Sequence, residues 1–187
     1  MFLPKVIGIC GMRRAGKDTI ASFFSSYGYK NVKISQPLKT VCQTLFGFTD
    51  SQMEDETKDI IDENIGISPR TALQFFGTEV MQYKIQELLP NVGRSFWIDM
   101  LIRQNINQDQ KIIISDMRFE HEYNALKAKY GDNLIIIKVT RENNLEKDTH
   151  SSENEWMHIK EDYLIENNKS INDLKKSIVN LIETYSM

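Results

Sequence analysis

The hydrophobic positions of this chain fall into short apolar runs that alternate with segments of helical spacing. Residues 111–115 and 134–139 are almost continuously apolar, which is typical of strands buried on both faces of a parallel sheet. Shorter runs at 5–10, 31–35 and 163–165 predict three more strands. The pattern therefore predicts about five strands separated by helices.

Helical spacing and capping residues predict the intervening helices. Ser68 and Pro69 suit the N-cap and first position of a long helix that ends before Pro90, and Ser170 suits the N-cap of a terminal helix with Ile171, Leu174, Ile178, Leu181 and Ile182 on its apolar face. Residues 48–67 are polar and predict a loop with a helical turn. Further helices are predicted at 19–27, 37–46, 95–106 and 119–130.

This alternation predicts an α/β fold, with a parallel sheet of about five strands flanked by helices and joined by right-handed crossovers. In such sheets ligands bind at the carboxyl ends of the strands. The length of 187 residues suits a single domain.

The composition limits the kinds of binding partner that the chain is expected to have. The chain is 41% hydrophobic and 26% charged, with a formal net charge of −3, so it offers no electrostatic reason to expect nucleic acid or a membrane surface. Any phosphate must be met by local groups. Cys10 and Cys42 lack metal-ligand spacing and predict reduced, buried thiols, and no signal-like or membrane-spanning run is seen, so a cytoplasmic protein is expected.

The strand at 5–10 leads into a phosphate-loop pattern, two glycines bracketing four residues and followed by lysine. A purely structural glycine-rich turn is the alternative, but the strand before and the helix after both favour a nucleotide site. Backbone N–H groups of such a loop cradle phosphates, and the lysine reaches the outer ones. The candidate ATP-binding residues are Gly11, Arg13, Arg14, Ala15, Gly16, Lys17, Asp18 and Thr19.

The residue after the lysine departs from the usual pattern. Asp18 stands where a Ser or Thr normally holds Mg²⁺, and Thr19 follows one place later. Either could bind the metal, directly or through water. Asp116, at the end of the strand 111–115, could orient the metal or its water, or serve as the N-cap of the helix at 119–130. The two roles are compatible.

The helix from Pro69 carries a second group of candidates. At 100° per residue, Arg70, Gln74, Gly77 and Met81 share one face. The adjacent face is predicted to be the buried apolar stripe, and its members are Leu73, Phe76, Val80 and Tyr83. Gly77, with Thr78 at the edge of its face, indicates close approach either of a ligand or of another helix.

Arginines concentrate at the predicted sites. Of the seven in the chain, only Arg103 lies elsewhere, which favours a phosphate-lined cleft. Lys39 and Trp97 begin predicted helices, although lone lysines are usually solvated and lone tryptophans usually in the core. His150 and Glu153 lie in a polar stretch that predicts either a lid or a disordered loop. The six arginines at predicted sites are Arg13, Arg14, Arg70, Arg94, Arg118 and Arg141.

Taken together, these segments resemble the deoxynucleoside monophosphate kinases of bacteriophages and large DNA viruses, a branch of P-loop nucleoside-monophosphate-kinase-like proteins. The matching motifs run in family order over nearly the whole chain. They are Gly11-Met-Arg-Arg-Ala-Gly-Lys-Asp-Thr19, Pro37-Leu38-Lys39, Arg70-xxx-Gln74-xx-Gly77-Thr78, Arg94-xx-Trp97, Asp116-Met-Arg-Phe-Glu-His-Glu122, and Asp148-Thr-His150 with Glu153 nearby.

The resemblance implies transfer of the ATP γ-phosphoryl group to a deoxynucleoside monophosphate, with Mg²⁺ near Asp18, Thr19 and Asp116. It implies a single kinase domain over 1–187, with an acceptor-binding helical region at about 36–107 and a lid-like segment at about 141–160. It also implies dGMP and dTMP among the substrates, and a homodimer. Lys17, Arg14, Asp116, Arg118 and Arg141 are the implied catalytic residues.

The implied acceptor residues form a longer set along the chain. Lys39 and Arg70 would hold the acceptor phosphate, while Glu122 would add to the phosphate and sugar contacts. The remaining members of the set are Gln74, Gly77, Thr78, Arg94, Trp97, Asp116, Arg118, His150 and Glu153.

Two other classes share part of the pattern. Phosphomevalonate kinases of the animal type have a Gly-Lys-Asp loop, and dephospho-CoA kinase has a similar size, but Gln74, Gly77-Thr78 and Trp97 favour a flat base as acceptor. A GTP-dependent switch would need an Asn-Lys-x-Asp segment, and Asn168-Lys169 is followed by Ser170-Ile171 instead.

Overall fold

The structure, a computed structural model, describes residues 3–105, 109–142 and 154–186. The strands in these ranges are β1 (Val6–Gly11), β2 (Tyr29–Val32), β3 (Lys111–Met117), β4 (Leu134–Thr140) and β5 (Tyr163–Glu166). The α-helices are α1 (Lys17–Phe23), α2 (Gln36–Phe46), α3 (Pro69–Gln74), α4 (Ile85–Leu88), α5 (Phe96–Asn105), α6 (Glu120–Tyr130) and α7 (Ile171–Ser186). A π-helix occupies Phe75–Lys84, and 3₁₀ turns lie at Phe24–Tyr27, Ser51–Met53, Gly131–Asn133 and Glu155–His158.

The strands form one parallel sheet in the order β2-β3-β1-β4-β5, with β1 at the centre. This confirms the predicted α/β fold with five parallel strands. All six residues of β1 are buried, as expected of a strand with neighbours on both sides and helices on both faces.

Every strand differs from its predicted bounds by at least one residue, and β2 and β3 differ most. β2 lies at Tyr29–Val32 rather than 31–35, because Gly28 in the left-handed conformation (φ 82°) ends the preceding helical turn and starts the strand earlier. β3 and β4 each run further, to Met117 and Thr140. Asp116 is therefore inside a strand rather than after it.

The chain divides into two compact units, Met1–Lys33 with Leu101–Met187, and Ile34–Met100. In the first unit, α1 and α7 share a hydrophobic core with one face of the sheet. Leu174, Ile178, Leu181 and Ile182 of α7 are buried there as predicted, but Ile171 is 62% exposed because it stands in the first turn, before the helix reaches the sheet core. On the other face, α6 and the 155–158 turn contact β4 and β1 respectively.

The second unit contains the long predicted helix, which the structure divides into three parts. Ser68 caps α3 through its hydroxyl, which accepts a hydrogen bond from Thr71 N at 3.2 Å, and Pro69 takes the first position as predicted. From Phe75 the helix is of the π type for ten residues before α4. The segment 48–67 is a loop with one helical turn, which confirms that prediction.

The π-helix changes which side chains are buried. The prediction placed Leu73, Phe76, Val80 and Tyr83 in a buried stripe, and this is wrong: Tyr83 is 41% exposed and the other three are half-buried. The stripe was derived from α-helical spacing, whereas a π-helix bonds residue i to residue i+5. The buried positions, spaced by five apart from Thr78, are Ala72, Gly77, Thr78 and Gln82.

Among the described residues, none of the helices is both long and apolar enough to span a bilayer.

The glycine at the end of β1 yields a stability prediction. Gly11 has φ 142°, and a Cβ there would overlap the backbone carbonyl oxygen of Val139 on β4. We expect Gly11→Ala to lower the free energy of unfolding by at least about 3 kcal/mol, since a backbone atom cannot move aside as a side chain can. Thermal and chemical denaturation would measure the change.

Gly28→Ala is the matched control. Gly28 also has a positive φ, but a Cβ there would meet nothing within 4 Å. Backbone strain alone should then cost about 1 to 2 kcal/mol. Equal losses in the two variants would show that the Val139 overlap is unimportant.

Candidate active site

The loop between β1 and α1 is built from positive-φ residues. Gly11 has φ 142°, Arg14 has φ 60° and Gly16, the N-cap of α1, has φ 101°. Alternation of left-handed and right-handed backbone turns successive N–H groups toward one concave side, which makes an anion-binding nest. The α1 dipole adds to this at the same end. The loop predicted from the sequence thus has the backbone geometry that phosphate binding needs.

Lys17 lies folded back over this loop. Its Nζ donates to the carbonyl oxygens of Gly11 at 2.8 Å and Met12 at 2.7 Å. Burial, assisted by the nearby charge of Arg118, lowers the pKa of Lys17 to about 8, while Asp18 and Asp116 act in the opposite direction. Lys17 is thus within electrostatic reach of Asp18, Asp116 and Arg118; their roles in catalysis stay a prediction.

Asp18 is held by residues that sequence reasoning missed. Ser115 Oγ donates to Asp18 Oδ1 at 2.7 Å, and Lys33 Nζ lies 2.9 Å from the same oxygen. Ser115 Oγ is also 3.1 Å from Asn31 Oδ1. Asn31 and Lys33 lie on or just after β2, and Ser115 is near the end of β3, so the carboxyl-end rule could have found them.

The end of β3 carries a β-bulge. Gly8 pairs with Ile114, but Cys10 pairs with Met117, so β3 has one extra residue in this stretch. Bulges re-aim side chains next to functional sites, and this one includes Asp116. The prediction that Asp116 caps helix α6 is wrong, because the strand continues past it and Phe119 is the N-cap.

The side chain of Glu122 caps the N-terminus of α6 instead. Its Oε2 accepts hydrogen bonds from the backbone N–H groups of Arg118 at 2.7 Å and Phe119 at 3.0 Å. The residue is only 4% exposed. Burial raises the pKa of Glu122 to about 8, although the two backbone donors and Arg118 oppose the shift. Glu122 therefore fixes the backbone that carries Arg118; its implied contact with substrate stays a prediction.

A further residue that the sequence did not single out supports the loop from β5. Asn167 Nδ2 donates to the carbonyl oxygen of Ala15 at 2.8 Å, and Asn167 N donates to Thr140 O at 2.8 Å. A Cβ on Gly16 would come within 2.5 Å of Asn167 Nδ2. Asn167 thus ties the phosphate loop to the end of the sheet.

The remaining predicted residues of the first unit differ in their exposure to solvent. Arg13 and Thr19 are half-buried, while Arg14 and Arg141 are exposed, Arg141 directly after β4. His150 and Glu153 lie outside the described residues.

In the second unit, the structure groups two of the implied phosphate-binding residues. Arg70 Nε lies 2.5 Å from Asp59 Oδ1. Lys39 and Arg70 both contribute to the electrostatic environment of Asp55, so the two cations share a neighbourhood. Gln74, one turn along from Arg70, is half-buried.

Gly77 and Trp97 have packing roles within this unit. Trp97 is 8% exposed, and its Nε1 donates to the carbonyl oxygen of Gly77 at 3.1 Å. A Cβ on Gly77 would approach Leu38 Cδ2 of α2 to 2.5 Å. Helix–helix contact, one of the two explanations considered for this glycine, therefore accounts for it. Thr78 is also buried.

Arg94 is anchored by the π-helix. Its Nη2 donates to Tyr83 Oη at 3.0 Å, and the guanidinium carbon lies 5.0 Å from the centre of the Tyr83 ring. Gln82 Oε1 is 3.4 Å from Arg94 Nε. Arg94 is thus fixed in orientation within its own unit.

The donor set near the loop suits a hard cation. Asp18, Thr19 and Asp116 offer only oxygen atoms, which Mg²⁺ prefers. The described residues contain no cluster of three His, Cys, Asp or Glu side chains able to hold a metal by themselves. An ion here would draw its other ligands from phosphate and water, as Mg²⁺ usually does in nucleotide sites.

The fold and the loop together define a P-loop phosphotransferase: a five-stranded parallel sheet whose central strand leads into a lysine-bearing phosphate nest at a helix N-terminus. Residues 46–178 match the family model described as deoxynucleotide monophosphate kinase. The chain belongs to that family, and it is an ATP-dependent phosphotransferase acting on deoxynucleotide monophosphates. The matched range begins after the phosphate loop, so the loop supports the assignment independently.

A sequence relative supports the family assignment, and two solved structures have a similar fold. A protein of Acanthamoeba polyphaga mimivirus, whose name assigns it to the deoxynucleotide monophosphate kinases, is 29% identical over 97% of both chains. The Thermus thermophilus protein TT1252 has a similar fold, with a TM-score of 0.51 at 12% identity over 98% of both chains. Shikimate kinase from Aquifex aeolicus gives a TM-score of 0.48 at 13% identity, covering 97% of this chain and 98% of its own.

The lowered pKa of Lys17 yields a pH prediction. Below about pH 8 the free protein already carries the ammonium, and above it the amine is increasingly neutral. Bound triphosphate favours the charged form, so ATP binding at pH 9 should take up a proton and weaken as pH rises. Calorimetry in two buffers of different ionisation enthalpy would measure the uptake. The Lys17→Ala variant should show none; equal uptake in that variant would assign the proton to another group.

The buried carboxyl of Glu122 yields a second prediction. Near neutral pH it is protonated, so Glu122→Gln should keep both accepted hydrogen bonds and most of the activity. Glu122→Ala leaves two backbone donors without an acceptor and should cost about 2 to 4 kcal/mol. Steady-state kinetics and denaturation would measure both variants. A large loss of activity in the Gln variant would instead indicate a carboxylate that contacts substrate.

The difference in stability between the wild type and Glu122→Gln should depend on pH. Because the folded-state pKa of Glu122 lies above its ordinary value of 4.5, its contribution to stability is full at low pH and is lost as pH rises through about 8. Stability of the wild type relative to Glu122→Gln should therefore fall between pH 5 and pH 8.5. A constant difference would contradict the raised pKa.

Proposed function

We propose that this kinase phosphorylates dGMP, dTMP or both to the diphosphates, using Mg-ATP, and so supplies precursors for DNA synthesis. The observation that carries the proposal is the phosphate nest with Lys17 at its centre, in a chain that belongs to a deoxynucleotide monophosphate kinase family. The choice of dGMP and dTMP rests on the family resemblance.

Phosphoryl transfer asks little covalent chemistry of the protein, since it depends on positioning and on neutralising charge. The nest N–H groups of residues 13–17 bind the outer phosphates of ATP. Lys17 exchanges its two carbonyl acceptors for phosphate oxygens, which offer a full negative charge in place of dipoles. Asn167 keeps the loop in shape through Ala15 during this exchange.

Positive side chains then balance the charge that develops on the transferred group. Arg118, oriented through the backbone clamp of Glu122, and Arg14 and Arg141, exposed near strand ends, are the proposed contributors. Mg²⁺ would supply further neutralisation of the phosphate charge. Thr19 and Asp116 are its proposed ligands, while Asp18 acts through water because Ser115 and Lys33 already engage its carboxylate.

The acceptor is held by the second unit in this proposal. Lys39 and Arg70 bind the monophosphate, and Gln74 and Arg94 contact the nucleoside. Gly77, Thr78 and Trp97 shape this region through packing. A homodimer, a lid over 141–160 and location in the host cytoplasm complete the proposal as expectations from the family.

A coupled assay of ADP release tests the function. Mg-ATP with dGMP, dTMP, dCMP or dAMP should show turnover with at least dGMP or dTMP, and much less with the matching ribonucleotides or an isoprenoid phosphate. Absence of turnover with all four deoxynucleotides would refute the proposal. Turnover confined to dCMP or dAMP would refute the base preference alone.

Two lysine variants check the site. Lys17→Ala should lower kcat by about 100-fold or more, because it removes a charge aimed at the transferred group. Lys30→Ala, on an exposed position of β2, should behave as the wild type. Full activity in the Lys17 variant would remove the loop from the mechanism.

A further inference from the structure

The loop between α2 and α3 contains a buried lysine that no motif accounts for. Lys58 is 9% exposed overall, and its side chain is 11% exposed. Its carbonyl oxygen accepts a hydrogen bond from Arg70 N at 2.9 Å. This bond ties Lys58 to the first turn of α3, so the lysine and Arg70 keep a set spacing.

Each of these two cations has a carboxylate partner from the same loop. Lys58 Nζ lies 2.5 Å from Asp55 Oδ1, and Arg70 Nε lies 2.5 Å from Asp59 Oδ1. Partial desolvation works against ionisation of Asp55, although its side chain is still 65% exposed, yet the hydrogen bond and charge of Lys58, with the charges of Lys39 and Arg70, hold its pKa at about 2. Lys39 therefore belongs to the same charged group.

The exposure of the partners is unequal. The side chains of Lys58 and Arg70 are 11% and 15% exposed, whereas those of Asp55 and Asp59 are 65% and 48% exposed. The cations lie inside and the carboxylates lie toward solvent. A buried charge is costly without a partner, but an exposed carboxylate loses little when it turns into water. The carboxylates are thus the exchangeable half of each pair.

Within this group of five residues, the positive charges outnumber the negative ones. Lys39, Lys58 and Arg70 carry three positive charges, and Asp55 and Asp59 carry two negative ones. A phosphate dianion that displaced both carboxylates would replace their charge and offer three strong acceptor oxygens in one group. Lys58 Nζ has three donors and the Arg70 guanidinium five, enough to bind it from two sides.

We propose that Lys58 is a third cation of the acceptor phosphate site, with Lys39 and Arg70, and that Asp55 and Asp59 are internal counter-ions that the acceptor phosphate displaces. This rests on the proposed function, and it assigns a role to the 48–67 loop. The loop supplies both Lys58 and the two carboxylates that pair with Lys58 and Arg70 while the acceptor is absent.

Binding measurements separate this role from a structural one. Titration calorimetry with dGMP and dTMP, each paired with its deoxynucleoside, would be run on the wild type, Lys58→Ala, Asp55→Asn and Asp59→Asn. Lys58→Ala should weaken monophosphate binding by about 10- to 100-fold, since charged hydrogen bonds to phosphate are lost. Deoxynucleoside binding should not change, because it lacks the phosphate.

The aspartate variants should behave in the opposite way. Removing a competing carboxylate should tighten monophosphate binding by about 2- to 5-fold, and lower KM for the acceptor without changing KM for ATP. Lys84 and Glu87 form an exposed pair at 3.0 Å, with side chains 71% and 67% exposed, so Lys84→Ala and Glu87→Gln serve as controls that should change neither value.

The outcomes distinguish the two proposals. If the wild-type protein binds monophosphates but phosphorylates none, the proposed function is refuted. The comparison of monophosphate binding by the wild type and Lys58→Ala would still test the role of Lys58. Unchanged binding in Lys58→Ala, equal weakening toward nucleotide and nucleoside, or weaker monophosphate binding in both aspartate variants would overturn the inference. If Lys58→Ala does not fold, the aspartate variants alone decide.

Discussion

An ATP-dependent kinase must bind a highly charged triphosphate, and this chain must do so with a net charge of −3. The positive potential must be local, and it comes from a backbone nest with one buried ammonium. Lys17 is held by two loop carbonyls, and its burial lowers its pKa to about 8. The loop is thus organised around a buried cation that two carbonyl dipoles hold in place.

Carboxylates around this cation have three different environments, and these suit three different tasks. Asp18 is more than half exposed, and its contacts with Ser115 and Lys33 fix the orientation of its carboxylate. Asp116 lies in a bulge near the carboxyl end of β3. Glu122 is buried and holds backbone N–H groups. Of the three, Glu122 has a raised pKa, because burial disfavours its ionised form.

The second unit uses a related principle with paired charges. Its two largely buried cations are each paired with a more exposed carboxylate from the same loop. The loop that supplies these groups was read from the sequence as a solvated polar stretch. Its predominantly acidic sequence does not reveal that Lys58 is buried, since burial depends on how the loop folds against α3.

Much of the fold followed from the sequence, because strands, helix caps and the phosphate loop depend on residues that are near one another in the chain. The errors arose where distant contacts prevailed. Asp116 was expected to cap a helix, but pairing with β1 extended the strand past it. The helix after Pro69 was read with α-helical spacing, but its π turns bury Gly77 and Gln82 instead of the expected apolar stripe.

The sequence by itself determined the sheet, the nucleotide loop and the family, since each is encoded in local order and spacing. Only the tertiary structure decided what surrounds Asp18: Ser115 is 97 residues away and meets it because β3 ends beside the start of α1. The same holds for Asn167, 152 residues from Ala15. Such contacts arise because the carboxyl ends of parallel strands lie at the same edge of the sheet, although their sequences are far apart.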